Sequence, residues 1–189
     1  MGGNQIRNCA ALVESSSGMT LDDINSLSTE DFVAEFGAIY EHSPWIAAKA
    51  CAYRPFSDTA QMLGAFAQVV RQADKEAQLA LVKAHPELGH RAGIDQALST
   101  ESQHEQGGAG LDRLTPAEYE QFHKLNTAYR EKFGMPFVIC VRKAGKSPKA
   151  VILEAMATRL QSSPDAELAE ALTQIDAIAS LRLQDKVQL

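Results

Sequence analysis

The sequence predicts an all-α single domain, and three observations carry that prediction. Apolar residues recur every three or four positions over long stretches, the spacing of one buried helix face. Four of the stretches open on Ser-Pro or Thr-Pro, at Ser43-Pro44, Thr115-Pro116, Ser147-Pro148 and Ser163-Pro164, a capping residue followed by a residue suited to the first turn. The one short β-branched apolar run, Met135 to Val141, has no second strand pattern to pair with, so it reads as an extended pass through a helical core.

In chain order, residues 1–17 are small and polar without a sustained period and read as a mobile tail, leaving residues 18–189 as the domain. A short helix can begin at Thr20. A clearer one starts at Ser28 or Thr29, with Glu30 and Asp31 in the first turn and Phe32, Val33, Phe36, Ile39 and Tyr40 on its apolar side. Ser43-Pro44 opens the next, running toward Tyr53. Beyond Pro55, Asp58 caps what reads as one long helix to about Lys83, burying Met62, Leu63, Phe66, Val69, Val70 and Ala73.

The period then weakens across residues 84–114, because residues before a proline avoid the α region and His85 precedes Pro86. Ser99 to Gln106 can still form a short helix there. Thr115-Pro116-Ala117-Glu118 has the residues of a capping box, and the helix it starts stops at Gly134, suited to a left-handed cap. Two more helices follow, with Val151, Ile152, Ala155, Met156 and Leu160 on one and Leu168, Leu172, Ile175, Ala179 and Leu183 on the other.

Composition excludes several functions. The net charge of -6, from 24 acidic and 18 basic side chains, provides no basic footprint for nucleic acid or an anionic membrane. No apolar run is long enough to cross a bilayer. The cysteines Cys9, Cys51 and Cys140 are odd in number and outside any CxxC spacing, which suits reduced thiols in the cytoplasm.

Chemistry concentrates in residues 84–111, AHPELGHRAGIDQALSTESQHEQGGAGL, which hold three of the five histidines. His85 sits where proline holds the backbone extended, and an imidazole there can exchange a proton near neutrality; a solvated or capping histidine is the plainer reading. Ser102 and Glu105 are three apart and can meet a ligand together with Gln106, or simply form a capping box. A metal site from His85, His90, His104 and Glu105 lacks any HExxH-like spacing. Ser102 as a nucleophile lacks a GxSxG elbow. Phe137 reads as core that can also face a ligand. Arg182 reads as a helix C-terminal charge or as a two-pronged anchor for a carboxylate or ring carbonyl.

Several pieces together resemble the 2-oxo-4-hydroxy-4-carboxy-5-ureidoimidazoline (OHCU) decarboxylase family of uric acid breakdown. They are EHSPW from Glu41, RPF from Arg54, AHPELG from Ala84, ESQHEQGGAGL from Glu101, LNTAYREKFGMPFVICV from Leu125 and IASLRL from Ile178, in that order. The resemblance spans about Leu27 to Leu183, and Met135, before Pro136, departs from it slightly. It implies an all-helical homodimer without cofactor or metal that decarboxylates a small ureidoimidazoline to (S)-allantoin. It makes His85 and Glu105 the catalytic pair, with Pro86, Ser102, Gln106, Phe137, Ile139 and Arg182 binding substrate.

That chemistry is physically coherent. Decarboxylation needs an acceptor for an electron pair, which pyridoxal phosphate or a lysine Schiff base normally provides. This substrate carries its own in a ring C=N bond beside the departing carboxylate. Two other classes stay open on the residues alone: a helical binding or regulatory module using the central loop as a contact surface, and a metal-dependent hydrolase.

Overall fold

The computed structural model describes residues 18–89 and 98–187. The 1–17 tail, with Cys9, and His90 lie outside them. Among the described residues there are nine α-helices and no β-sheet: α1 Leu21–Ser26, α2 Thr29–Phe36, α3 Pro44–Ala50, α4 Thr59–Gln72, α5 Lys75–Lys83, α6 Thr100–Gly108, α7 Pro116–Phe133, α8 Pro148–Arg159 and α9 Pro164–Gln184. Among the described residues a single parallel bridge joins Met19 to Val187. No helix among the described residues is long and apolar enough to cross a membrane.

Most starts follow from their caps. Thr20 and Thr115 form capping boxes with Asp23 and Glu118, and Ser28, Asp58 and Ser163 each accept a backbone N–H of the first turn. Gly134 closes α7 with φ +66°. At Ser43 and Ser147 the proline sets the start and the serine side chain makes no cap bond. The Ser43 hydroxyl instead donates to the Glu41 carbonyl at 2.9 Å.

The long helix expected from Asp58 to Lys83 is two helices. Ala73 turns to ψ 150°, and Asp74 caps α5 by accepting the Ala77 N–H at 2.8 Å. Gln78 donates back to the Val70 carbonyl at 3.0 Å, a second bond on an oxygen that also accepts the Ala73 N–H at 3.2 Å. Likewise α2 ends at Phe36, so Ile39 and Tyr40 are buried from a turn rather than from a helix face.

Helix α9 is the central post. It packs against α4, α5 and α7 and buries Leu168, Ala171, Ile175, Ile178, Ala179 and Leu183. One aromatic cluster, Phe32, Phe36, Tyr40, Phe56 and Phe66, fills the space among α2, α3 and α4, with the rings of Tyr40 and Phe66 stacked 6.0 Å apart. The 134–140 segment forms no ladder and buries Met135, Phe137, Val138 and Cys140. Its backbone is instead held by side chains: Arg159 donates to the Val138 carbonyl at 2.8 Å, and Gln174 accepts from the Cys140 N–H at 3.0 Å.

Candidate active site

His85 lies just past the end of α5, where its N–H still bonds the Val82 carbonyl at 3.1 Å and Pro86 prevents another turn. Its side chain is buried, with Nδ1 3.0 Å from the Leu81 carbonyl. A carbonyl can only accept, so this contact places the proton on Nδ1 and leaves Nε2 with its lone pair. Burial pushes the His85 imidazole down to about 4, against the upward pull of the Leu81 carbonyl and of Glu41. At neutral pH it is therefore an uncharged base.

The loop after His85 is pinned from three sides. Asn126 of α7 donates to the Leu88 carbonyl at 2.8 Å, Arg130 forms an ion pair with Glu87, and Gln106 of α6 reaches the Glu87 carbonyl at 3.5 Å. Gly89 has φ +80°, and a Cβ there would lie 2.9 Å from the Phe122 ring, so both the conformation and the space require glycine.

Helix α6 starts at Ser99, whose hydroxyl accepts the Ser102 N–H at 3.1 Å. The expected capping box of Ser102 and Glu105 is thus replaced by a cap three residues earlier. Ser102, Glu105 and Gln106 are left to point off one helix face. The Ser102 hydroxyl donates to Glu41 Oε2 at 3.0 Å, so its proton is held by a carboxylate and not by a histidine.

Arg182 approaches from α9 and is 5% exposed, which rules out the reading as a solvated C-terminal charge. Its Nε and Nη2 donate to the two oxygens of Glu105, each at 2.9 Å, the two-pronged geometry of a carboxylate anchor. Nη1 donates to Glu41 Oε2 at 2.9 Å, and Nη2 also reaches the Ser102 hydroxyl at 3.3 Å. Burial acts to lower the Arg182 pKa, but Glu105 and Glu41 outweigh it and the net displacement is upward.

Phe137 and Ile139 come from the 134–140 segment. The Arg159 guanidinium lies 4.3 Å from the Phe137 ring centre, and Tyr129 meets that ring edge-on at 5.4 Å. Behind it, Arg159 and Tyr129 both donate to the fully buried Glu167.

All eight residues singled out from the sequence, His85, Pro86, Ser102, Glu105, Gln106, Phe137, Ile139 and Arg182, line one cavity of about 30 Å³. It adjoins a surface cleft of about 810 Å³, and Glu105, Val141 and Arg182 line both. His104 faces the outer cleft while His85 faces inward. Among the described residues no three His, Cys, Asp or Glu side chains converge as metal ligands would.

Glu41 is the residue at this site that sequence reasoning did not single out. It stands in the turn before α3, its side chain fully buried, and joins two of the expected substrate-binding groups from behind. Burial raises its carboxyl, yet the Ser99 hydroxyl and the Arg182 guanidinium more than offset this and hold it below the usual carboxylate range. The available signal was an acid directly after the apolar Ala38-Ile39-Tyr40 and two residues ahead of the Ser43-Pro44 helix start.

Comparison with known proteins places the chain. A family model described as OHCU decarboxylase matches residues 25–184. The 2-oxo-4-hydroxy-4-carboxy-5-ureidoimidazoline decarboxylase of Haloferax volcanii is 42% identical over 168 residues, covering 89% of this chain and 96% of that one. Its counterpart from Halalkalicoccus jeotgali is 41% identical over 167 residues, covering 88% and 91%. A crystal structure of (S)-allantoin synthase superposes with a TM-score of 0.71 at 31% identity over 89% of this chain, which spans 54% of that longer one. With the family pattern running from α1 to the end of α9, and with relatives matched over nearly their whole length, the chain belongs to the OHCU decarboxylase family.

Proposed function

We propose that the protein is a carboxy-lyase that decarboxylates OHCU to (S)-allantoin, with His85 as the acid/base group and Glu105 orienting the substrate. The observation that carries this reading is the convergence of all eight expected residues on one cavity beside an uncharged, buried imidazole. Family membership and the relatives' named activities support it.

The residues suit the reaction. As CO2 leaves, the pair of the broken C–C bond forms a C=C bond to the neighbouring ring carbon. The C=N pair of that carbon moves onto nitrogen, which takes up a proton. The hydroxyl-bearing carbon then becomes a carbonyl, its proton passing to His85 Nε2 and onward to the neighbouring carbon. Delivery from a fixed imidazole reaches one face only, which gives a product of one hand.

A cavity of about 30 Å³ has room for little more than a water molecule and cannot hold this substrate closed. The gate is the Arg182–Glu105 fork, because both side chains also line the outer cleft. An entering carboxylate or ring carbonyl takes the Arg182 prongs, and Glu105, whose side chain is 15% exposed, turns to the hydroxyl or ureido donors. Pro86 and Gln106 shape the His85 side of the pocket, Ser102 adds a polar contact, and Phe137 and Ile139 wall the ring.

The same reading takes residues 18–189 as one domain of a cytoplasmic homodimer that needs neither cofactor nor metal; the sequence resemblance and the pattern of thiols support it. The test is CO2 release from freshly generated substrate. Release far faster than the spontaneous decay supports the assignment, and a rate equal to that decay overturns it.

A further inference from the structure

We propose that Glu41 is a positioning residue for this decarboxylation: it holds the Arg182 guanidinium and the Ser102 hydroxyl in the orientation that receives substrate. The inference rests on the decarboxylase reading and extends it to a residue outside the cavity lining.

The geometry separates Glu41 from the other acid on Arg182. Glu105 is partly exposed, lines both cavities and occupies the prongs a substrate would use. Glu41 is fully buried and takes Nη1, the opposite corner of the guanidinium. Its Oε2 accepts from Arg182 at 2.9 Å and from Ser102 at 3.0 Å, so one oxygen fixes two side chains from two different helices. When Glu105 turns away toward substrate, Glu41 is the carboxylate that remains on Arg182. The carbonyls of Ala38 and Ile39, at 3.4 and 3.5 Å from Nη1, are weak substitutes.

Stability alone does not account for this arrangement. A buried ion pair is often no more stable than apolar residues of the same volume. Here the pair is placed on the two side chains that face the cavity, Arg182 and Ser102, while Oε1 lies 3.7 Å from His42 Nε2, beyond hydrogen-bond reach. An arrangement aimed at those two groups suits positioning better than stabilisation.

The experiment is a double-mutant cycle on kcat and KM using Glu41→Leu, Glu41→Gln and Arg182→Met. Leucine fills the volume without polar atoms. Glutamine keeps an acceptor for Arg182 and Ser102 while dropping the charge. We expect Glu41→Leu to lower kcat/KM about 100-fold, the scale of a misplacement of about 1 Å, mainly through KM. Glu41→Gln should recover much of that, with a loss of about tenfold. In the Arg182→Met background either change should cost no more than about threefold, because Arg182 is the main group Glu41 positions and only the Ser102 contact is left to lose.

Near-normal kcat/KM in Glu41→Leu, an equal loss with and without Arg182, or a loss confined to kcat would overturn the proposal. Should Glu41→Leu fail to fold, the near-isosteric Glu41→Gln carries the same cycle. A wild-type protein without turnover removes the decarboxylase reading and this proposal together. An active wild type that tolerates Glu41→Leu removes this proposal alone.

Discussion

Lowering the pH from 7 to 4 perturbs one group at this site in a calculable way. His85 is surrounded by the Leu81 carbonyl, Glu41, Arg182 and His42, and burial among them holds it down to about 4 from the ordinary 6.5. Between those values the unfolded chain binds a proton that the folded protein refuses, so acid favours unfolding. The penalty is absent above about pH 6.5, grows as pH falls, and levels off below about pH 4. Its full size is about 3 kcal/mol. Urea unfolding followed by far-UV circular dichroism at several pH values, for wild type and His85→Asn, isolates it, because every other titrating group is common to both proteins. The wild type should lose about 3 kcal/mol more than the variant over this range. Activity should show the same displacement: the acid limb of kcat/KM falls below pH 5 rather than near 6.5. The limb of kcat should lie higher, since a bound anionic substrate favours the imidazolium. Parallel stability curves for the two proteins, or a kcat/KM limb near 6.5, would refute the assignment of a neutral, buried His85.

Three further outcomes follow from particular contacts. His85→Asn should lower turnover about 100- to 10,000-fold while the helical signal is unchanged; activity near wild type would remove His85 from the chemistry. Glu167→Ala strips the acceptor from Arg159 and Tyr129 behind the Phe137 wall, and should cost about 3–5 kcal/mol, read as a Tm lower by about 6–20 °C. A loss under about 1 kcal/mol would show that the wall stands without that network. Gly89→Ala forces a side chain into φ +80° and against Phe122, and should cost about 1–3 kcal/mol. Gly108→Ala, where nothing lies within 4 Å of the added carbon, should be near neutral; equal effects in chemical denaturation would argue against the strain.

How much of this was legible in the sequence depended on the range of the interaction. Caps act within four residues, so Thr20, Ser28, Asp58, Thr115 and Ser163 announced their helices. The break at Asp74 was hidden because neither Ala73 nor Asp74 is a glycine or proline and the apolar period continues across it. The pass of 134–140 was legible from its lack of a strand partner, but the side chains that hold it, Arg159 and Gln174, were not. At the site, the residues of α6 and the His85 loop were legible as a polar cluster, and the family resemblance sorted them into roles. The plain reading of Ser102 as a cap failed locally, because Ser99, three residues earlier, takes the cap. The reading of Arg182 as a helix-end charge failed at long range: its partners Glu105 and Glu41 lie 77 and 141 positions away, and local patterns carry no information about such pairs.

The measurement that tests the central claim most directly is the handedness of the product. Urate oxidase and hydroxyisourate hydrolase generate fresh OHCU from urate, the protein is added with or without a chelator, and the circular dichroism of allantoin is followed. A rapid signal of the (S) hand, the same with chelator, is the predicted result. Slow formation of allantoin without net optical activity would contradict the account.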